Sequence, residues 1–267
     1  MSEEGPDGVN VPDAPDGGAA VAAAAFGVKG PRGWAFRGID IDAAPGSLIA
    51  VEGPSGSGRT CLLLALTGRM RPAEGTARVG GLRLPKEMPA VRRVSALAHV
   101  PGVTDLDPAL TVAEHLRERA LLRRRFDGSL RALLRPRAER AAEAKRRIDT
   151  ALATAGLDLD TLPKAARTAV RDLERVEALR LSLALALIGR PLLIGVDDTD
   201  LKLADAERAE VWARLRAITE AGITVVAVCS EAPDSADVVV STAHERATAA
   251  PDTDKETADA FAEAGRA

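Results

Sequence analysis

The chain has no glutamine, and its only asparagine is Asn10, close to the N-terminus. The amide side chains that commonly orient an attacking water or read a nucleobase edge are therefore missing from everything beyond that point. Cysteine is scarce too. Cys61 and Cys229 are too few for a disulfide framework and read as small buried residues in a reducing compartment. No apolar run has the length of a bilayer: the longest, 181–196, is broken by Arg190-Pro191. A soluble, cytoplasmic chain is expected, with any membrane role exercised peripherally through a partner. The acidic opening Met1-Ser-Glu-Glu-Gly-Pro-Asp7 argues against a secretory leader. A net charge of −3 over 267 residues gives no general attraction to nucleic acid.

Apolar residues, 46% of the chain, suffice for one large α/β domain with appendages. Its organising stretch is Val51-Glu-Gly-Pro-Ser-Gly-Ser-Gly-Arg-Thr60, between an apolar strand pattern (48–51) and an apolar helix pattern (61–66). From Gly53 to Thr60 it reads G-x-x-x-x-G-R-T, one residue from a phosphate-binding loop. Glycines allow the backbone to curl with its N–H groups inward, and the following helix adds the positive end of its dipole. Gly53, Pro54, Ser55, Gly56, Ser57, Gly58, Arg59, Thr60 and Cys61 are thus the expected phosphate cradle, with the Thr60 hydroxyl suited to Mg²⁺. The departure is Arg59 in place of lysine. A guanidinium is planar and forked where an ammonium is a compact point, so the exchange is not conservative at a tight site.

Residues 1–20, rich in Gly, Pro, Asp and Ala, read as a disordered tail, and 246–267 as a flexible one. Alternation from Trp34 to Asp42 predicts a half-buried strand, 74–81 a short strand with a turn, and 95–100 a further strand. A helical subdomain is expected over about 105–175. The reading is helical from a capping-box pattern at Thr111–Glu114 to about Ala155. That stretch is rich in arginine, from Arg117 to Arg147. The arginines read either as partners of Glu114, Glu118, Glu139 and Glu143 at helical spacing, or as a docking face for an acidic partner or lipid. A single aromatic, Phe126, interleaves with them, too little for a nucleic-acid stacking platform. Further on, 171–188 reads as a helix, 192–198 as a strand ending in Asp197-Asp198, 204–221 as a helix, and 223–228 and 237–240 as strands. Strands alternating with helices predict a mainly parallel sheet covered on both faces. Ligands of such sheets bind beyond the carboxyl ends of the strands, where 53–60 and Asp197 both lie. Asp197 is the candidate Mg²⁺ ligand.

This order of features resembles the ATP-binding subunit of an ABC transporter over about 20–245. The run Ala44–Gly58 resembles that family's entry into its phosphate loop, and Glu74–Gly81 its next hairpin. Val100-Pro101 with Leu110–Leu116 resembles the approach to its helical subdomain, and Ala184–Asp198 the helix and strand before its catalytic acid. A GTPase would need an Asn/Thr-Lys-x-Asp element, which is missing. The resemblance implies a three-layer P-loop NTPase sandwich with a mainly parallel central sheet, an N-terminal antiparallel β portion and a helical subdomain. It implies ATP and Mg²⁺ as ligands, and an integral-membrane permease and a second ATP-binding subunit, identical or different, as partners. It points to Asp198 as the catalytic residue and to Phe26 either as an adenine-stacking ring or as core.

The departures fall on the chemistry. The family's Leu-Ser-Gly-Gly-Gln signature lands on Leu173-Glu-Arg-Val-Glu177, which brings Glu174 and Glu177 toward a facing γ-phosphate. Its water-sensing Gln lands on Gly102 and its switch His on Ser230, while Asp198 stands where a longer Glu is usual. Losing one preorganised donor costs about a hundredfold or more in rate, and such losses are not additive. The expectation is a nucleotide-binding subunit whose hydrolysis is slow or lost. The alternative is a non-hydrolysing regulatory or scaffold relative, or the inactive half of a heterodimeric pair.

Overall fold

Strand β3 (Leu48–Glu52) lies between β8 (Thr224–Val228) and β9 (Val238–Ser241) and is parallel to both. With β6 (Ser95–Leu97) and β7 (Leu193–Val196) they form a five-stranded sheet in the order β6-β7-β8-β3-β9. Strands β1 (Val21–Gly30), β2 (Gly33–Ala43), β4 (Glu74–Val79) and β5 (Leu82–Leu84) form a second, antiparallel sheet in the order β2-β1-β4-β5. The helices are α1 (Arg59–Leu66), α2 (Met88–Val94), α3 (Val112–Phe126), α4 (Arg137–Ala155), α5 (Arg175–Leu187) and α6 (Asp205–Glu220). This computed structural model describes residues 17–31, 33–126, 136–200 and 203–243.

The near-continuous apolar runs of β3, β7 and β8 follow from burial on both faces. Period-two alternation divides their side chains between two cores. Ile49, Val51, Val226 and Val228 face Leu62, Leu63 and Leu66 of α1 and the antiparallel sheet. Leu48, Ala50, Val225 and Ala227 face Leu181, Leu183, Trp212 and Leu215 of α5 and α6. The result is the expected three-layer α/β sandwich, with α3, α4 and α5 packed together at one side.

Several local expectations change. Gly18 and Ala19, counted above with the tail, are built in: Ala19 is buried and its N–H donates to the Leu192 carbonyl at 3.0 Å. The alanine-rich β1 and the short helix α2 carry no strong pattern, and the sequence reading passed over both. The helical stretch expected over 111–155 comprises α3 and α4, with 127–135 outside the described residues. Its start is as read: Glu114 Oε2 accepts from the Thr111 N–H and hydroxyl, both at 2.7 Å. Glu114 is therefore a cap. Glu143 is the acid that takes arginines, accepting from Arg147 at 2.9 Å and from Arg146. The tails before 17 and beyond 243 lie outside the described residues.

One ion pair fixes the entrance to β3. Asp237 Oδ2 accepts from the Leu48 N–H at 2.7 Å and from Arg216 Nη1 at 2.8 Å. The Arg216 hydrogen bond, helped by the Leu48 amide, holds the Asp237 carboxyl below its ordinary value. A depressed carboxyl contributes stability above its unfolded pKa, and that contribution is lost as pH falls through the folded one. Asp237→Asn should therefore lower stability by about 1 kcal/mol at neutral pH. In paired denaturant titrations the gap from wild type should close below about pH 4, near the unfolded carboxyl value.

A candidate nucleotide-phosphate site at the tip of β3

The chain leaves β3 through three glycines in left-handed backbone, Gly53 (φ 143°), Gly56 (φ 76°) and Gly58 (φ 93°). Only glycine adopts such angles freely. At Gly58 space is as restrictive as angle: a Cβ would lie 2.1 Å from the Ala35 carbonyl oxygen of β2. The Ser57 N–H turns inward to the Pro54 carbonyl, and the Ser57 hydroxyl meets that of Thr242 at 2.5 Å, tying the loop to the end of β9. The Leu62 N–H opens the α1 ladder on Gly58. The amides of Gly58, Arg59, Thr60 and Cys61 have no protein acceptor among the described residues. These are the free donors of a helix start that follows three left-handed glycines, and they fit polyphosphate oxygens.

Beside the loop, Thr60 Oγ1 donates to Asp197 Oδ2 at 2.6 Å. Asp197 is 3% exposed at the tip of β7. Two hard oxygens thus meet next to the cradle. Mg²⁺ keeps most of its waters and takes one or two protein oxygens plus phosphate, so this pair fits the ion. No cluster of three or more His, Cys, Asp or Glu forms a closed cage among the described residues.

Asp198 has left-handed backbone (φ 51°), uncommon off glycine, and its N–H donates to Asp197 Oδ1 at 2.9 Å. Burial and the Asp197 charge push its carboxyl up, against the opposing pull of His99 and Arg59. Arg59 itself does not lie over the loop: Nη1 donates to the carbonyl of Cys229, the residue after β8. Cys61, half-buried in the first turn of α1, has its thiol pushed up by burial and by Asp197.

The remaining expected participants divide. Phe26 is fully buried against Phe36, centroids 5.9 Å apart, so the ring is core and closed to a nucleobase. The cause is a bulge: β1 shifts register between Ala23 and Phe26, with Ala25 at φ 47° and its N–H held by Asp40 at 2.8 Å. The exposed aromatic next to the loop is Trp34, 41% exposed and one residue before Ala35, with Arg37 4.8 Å from its ring centroid. Its place at the head of an alternating strand was the one available signal, and it also fits an ordinary sheet residue. Gly102 is exposed, its amide bonded to Asp105. Glu174 and Glu177 cap α5 reciprocally, the Glu174 N–H donating to Glu177 Oε2 at 2.8 Å. The Ser230 N–H donates to Asp200 Oδ2 at 2.6 Å.

A parallel sheet with a glycine nest after β3 and a buried acid on the strand beyond β8, in reach of the nest's threonine, defines a P-loop NTPase fold. Comparison with known proteins narrows the class. Residues 36–200 match the family model described as ABC transporter, and the chain belongs to that family. It is 31% identical over 189 residues to the Nod factor export ATP-binding protein I of Cupriavidus metallidurans, covering 70% of this chain and 55% of that protein. It is 32% identical over 192 residues to the Fe(3+) ions import ATP-binding protein FbpC of Streptomyces avermitilis, covering 71% and 49%. The chain thus spans about half the length of the curated relatives it matches. Among solved structures it is similar to cbiO1 from Clostridium perfringens, part of the ABC transporter complex cbiONQ. There the TM-score is 0.66 at 18% identity, over 84% of this chain and 86% of that one. It is also similar to a putative ABC transporter ATP-binding protein from Pyrococcus furiosus, with a TM-score of 0.61 at 17% identity over 84% and 97%. At these identities the structures speak for the fold alone.

The Gly58 contact gives a direct check. Gly58→Ala adds a Cβ against backbone at a left-handed angle, which costs about 1–3 kcal/mol in strain. The variant should melt lower and lose polyphosphate binding, read by thermal denaturation and calorimetric titration with MgATP.

Proposed function

We propose that the chain is an ATP-binding subunit that holds Mg·ATP on the 53–61 loop, serves a membrane-embedded permease, and hydrolyses the nucleotide slowly or not at all. The observation that carries the binding half is the contact of Thr60 with buried Asp197 beside the free amides of α1. In this reading the amides at 58–61 take the phosphate oxygens, Thr60 and Asp197 hold Mg²⁺, and Trp34 flanks the base. Mg²⁺, when bound, neutralises phosphate charge. Asp198 is the candidate base, and its raised carboxyl keeps a proton to higher pH than a free aspartate would.

Slow or absent turnover is supported by what surrounds the loop. Glu174 and Glu177 satisfy the N-terminus of α5 themselves and add negative charge there, so that helix start is closed to an incoming phosphate. Gly102 brings no side chain, and the Ser230 N–H is bonded to Asp200, beyond the end of β7. The closed start of α5 also favours a second reading, that this chain is the inactive half of a pair completed by a different subunit.

The permease reading is supported by the family and by a cleft. No helix among the described residues is long and apolar enough to cross a membrane. Between the parallel sheet and α3 lies a cleft of about 600 Å³ lined by Val103, Leu106, Leu122 and Leu185 with Arg69 and Arg119. Burial and the neighbouring Arg92 and Arg119 bring the Arg69 guanidinium down to about 10, and Asp105, Asp107 and Glu118 line the same cleft, so it carries both signs of charge over an apolar floor. An amphipathic segment of a partner suits it. The relatives include an exporter and an importer by name, which leaves cargo and direction open to either.

MgATP at a hundredfold excess over its Kd should stabilise the protein by about 2.7 kcal/mol, seen as a raised melting temperature. Thr60→Ala should remove the Mg²⁺ dependence of that shift. Steady-state phosphate release should be low in wild type and fall further in Asp198→Asn. Turnover indifferent to that change would exclude Asp198 as its agent.

A further inference from the structure

We infer that Arg59 is a latch: in the ligand-free chain it ties the phosphate loop to the segment 229–232 after β8, and a polyphosphate in the loop releases that tie. The inference rests on the phosphate-binding reading of the same loop. It starts from the contact of Arg59 Nη1 with the Cys229 carbonyl, which joins the first residue of α1 to the end of a strand 170 positions away.

The segment is held at further points. The Cys229 N–H donates to the Val51 carbonyl at 3.0 Å, the Ser230 N–H to Asp200 Oδ2 at 2.6 Å, and the Ala232 N–H to Glu52 Oε2 at 3.0 Å. Thr199, beside Asp200, donates to the Val228 carbonyl through its N–H at 3.1 Å and its hydroxyl at 2.9 Å. The tips of β3, β7 and β8 therefore converge on this one turn. The local charge is lopsided. Asp200, Glu52 and Glu231 all push the buried Cys229 thiol upward, to about 12 with burial the leading cause, and Arg59 is the cation that opposes them. Arg59 thus does two things at Cys229: it satisfies a carbonyl, and it offsets a ring of carboxylates.

A phosphate oxygen is a charged acceptor. A guanidinium pairs with it through opposite charge and in forked geometry, and so holds it more strongly than a neutral carbonyl. Polyphosphate held by the amides at 58–61 arrives beside the root of the Arg59 side chain. The guanidinium then turns to the ligand, the Cys229 carbonyl loses its donor, and the carboxylates around 229–232 lose their counter-charge. Occupancy of the loop is thereby converted into loosening of the turn that follows β8. Lysine, one compact ammonium without the fork, would hold the carbonyl less firmly.

Amide hydrogen exchange of the full-length chain tests this at Cys229, Ser230 and Ala232, with Ile49 to Val51 in β3 as the internal reference. In wild type, MgATP or Mg-tripolyphosphate should speed exchange at the three amides by about tenfold, as expected for the loss of a charge-assisted bond. Without ligand, Arg59→Met, which keeps an apolar stem, should speed the same amides by a similar factor, and ligand should then add nothing. Arg59→Lys should fall between. Unchanged exchange in ligand-free Arg59→Met would overturn the latch, and so would protection of these amides when calorimetry shows the ligand bound. Absence of binding by either polyphosphate would instead remove the nucleotide reading and the coupling with it, while the ligand-free comparison of wild type and Arg59→Met still decides the tie.

Discussion

The backbone of Gly58 presses on the carbonyl of Ala35 with no room for a Cβ between them. That contact joins the two sheets at the point where β3 gives way to α1. Everything at the site depends on it. It sets how far the loop may rise from the sheet, and it directs the first turn of α1 so that Thr60 reaches Asp197. The clash is with backbone, which cannot rotate away as a side chain could. Ser57 and Thr242 anchor the other side of the loop to β9. The cradle is thus gripped from β2 and β9.

The region around this cradle has been turned inward. Where a phosphate-handling centre would present free donors, this chain presents donors already engaged with itself. Arg59 bonds Cys229, Ser230 bonds Asp200, and Glu174 and Glu177 bond each other's amides. Each of these bonds is satisfied within the chain, so the fold loses nothing by them. What changes is the electrostatic offer to a triphosphate: attractive at the amides of 58–61, repulsive at the start of α5. On the function proposed above, such a charge layout goes with retained binding and weakened cleavage.

Glycine spacing, the acid at the end of an apolar strand and the order of strand and helix patterns made the class of fold legible in the sequence. Those signals are local, since left-handed turns and both-face burial write themselves into residue type. The Thr111–Glu114 cap was readable for the same reason. Strand β1 was not, because alanine has little preference for extended backbone. It becomes a strand because β2 and β4 supply pairing partners on either side. Nor could helical spacing tell that Glu114 would be consumed by a cap while Glu143 collected two arginines.

The sequence by itself determined the phosphate loop, the parallel sheet and the candidate residues Thr60, Asp197 and Asp198, since each follows from side-chain type at short spacing. Only the tertiary structure decided where two rings and one cation go. The bulge at Ala25 resets the alternation of β1, burying Phe26 and leaving Trp34 as the exposed aromatic beside the loop. Arg59 lies on a carbonyl 170 residues distant. Both outcomes turn on which backbone atoms the sheets bring opposite one another, and long-range pairing of that kind leaves no trace in local pattern.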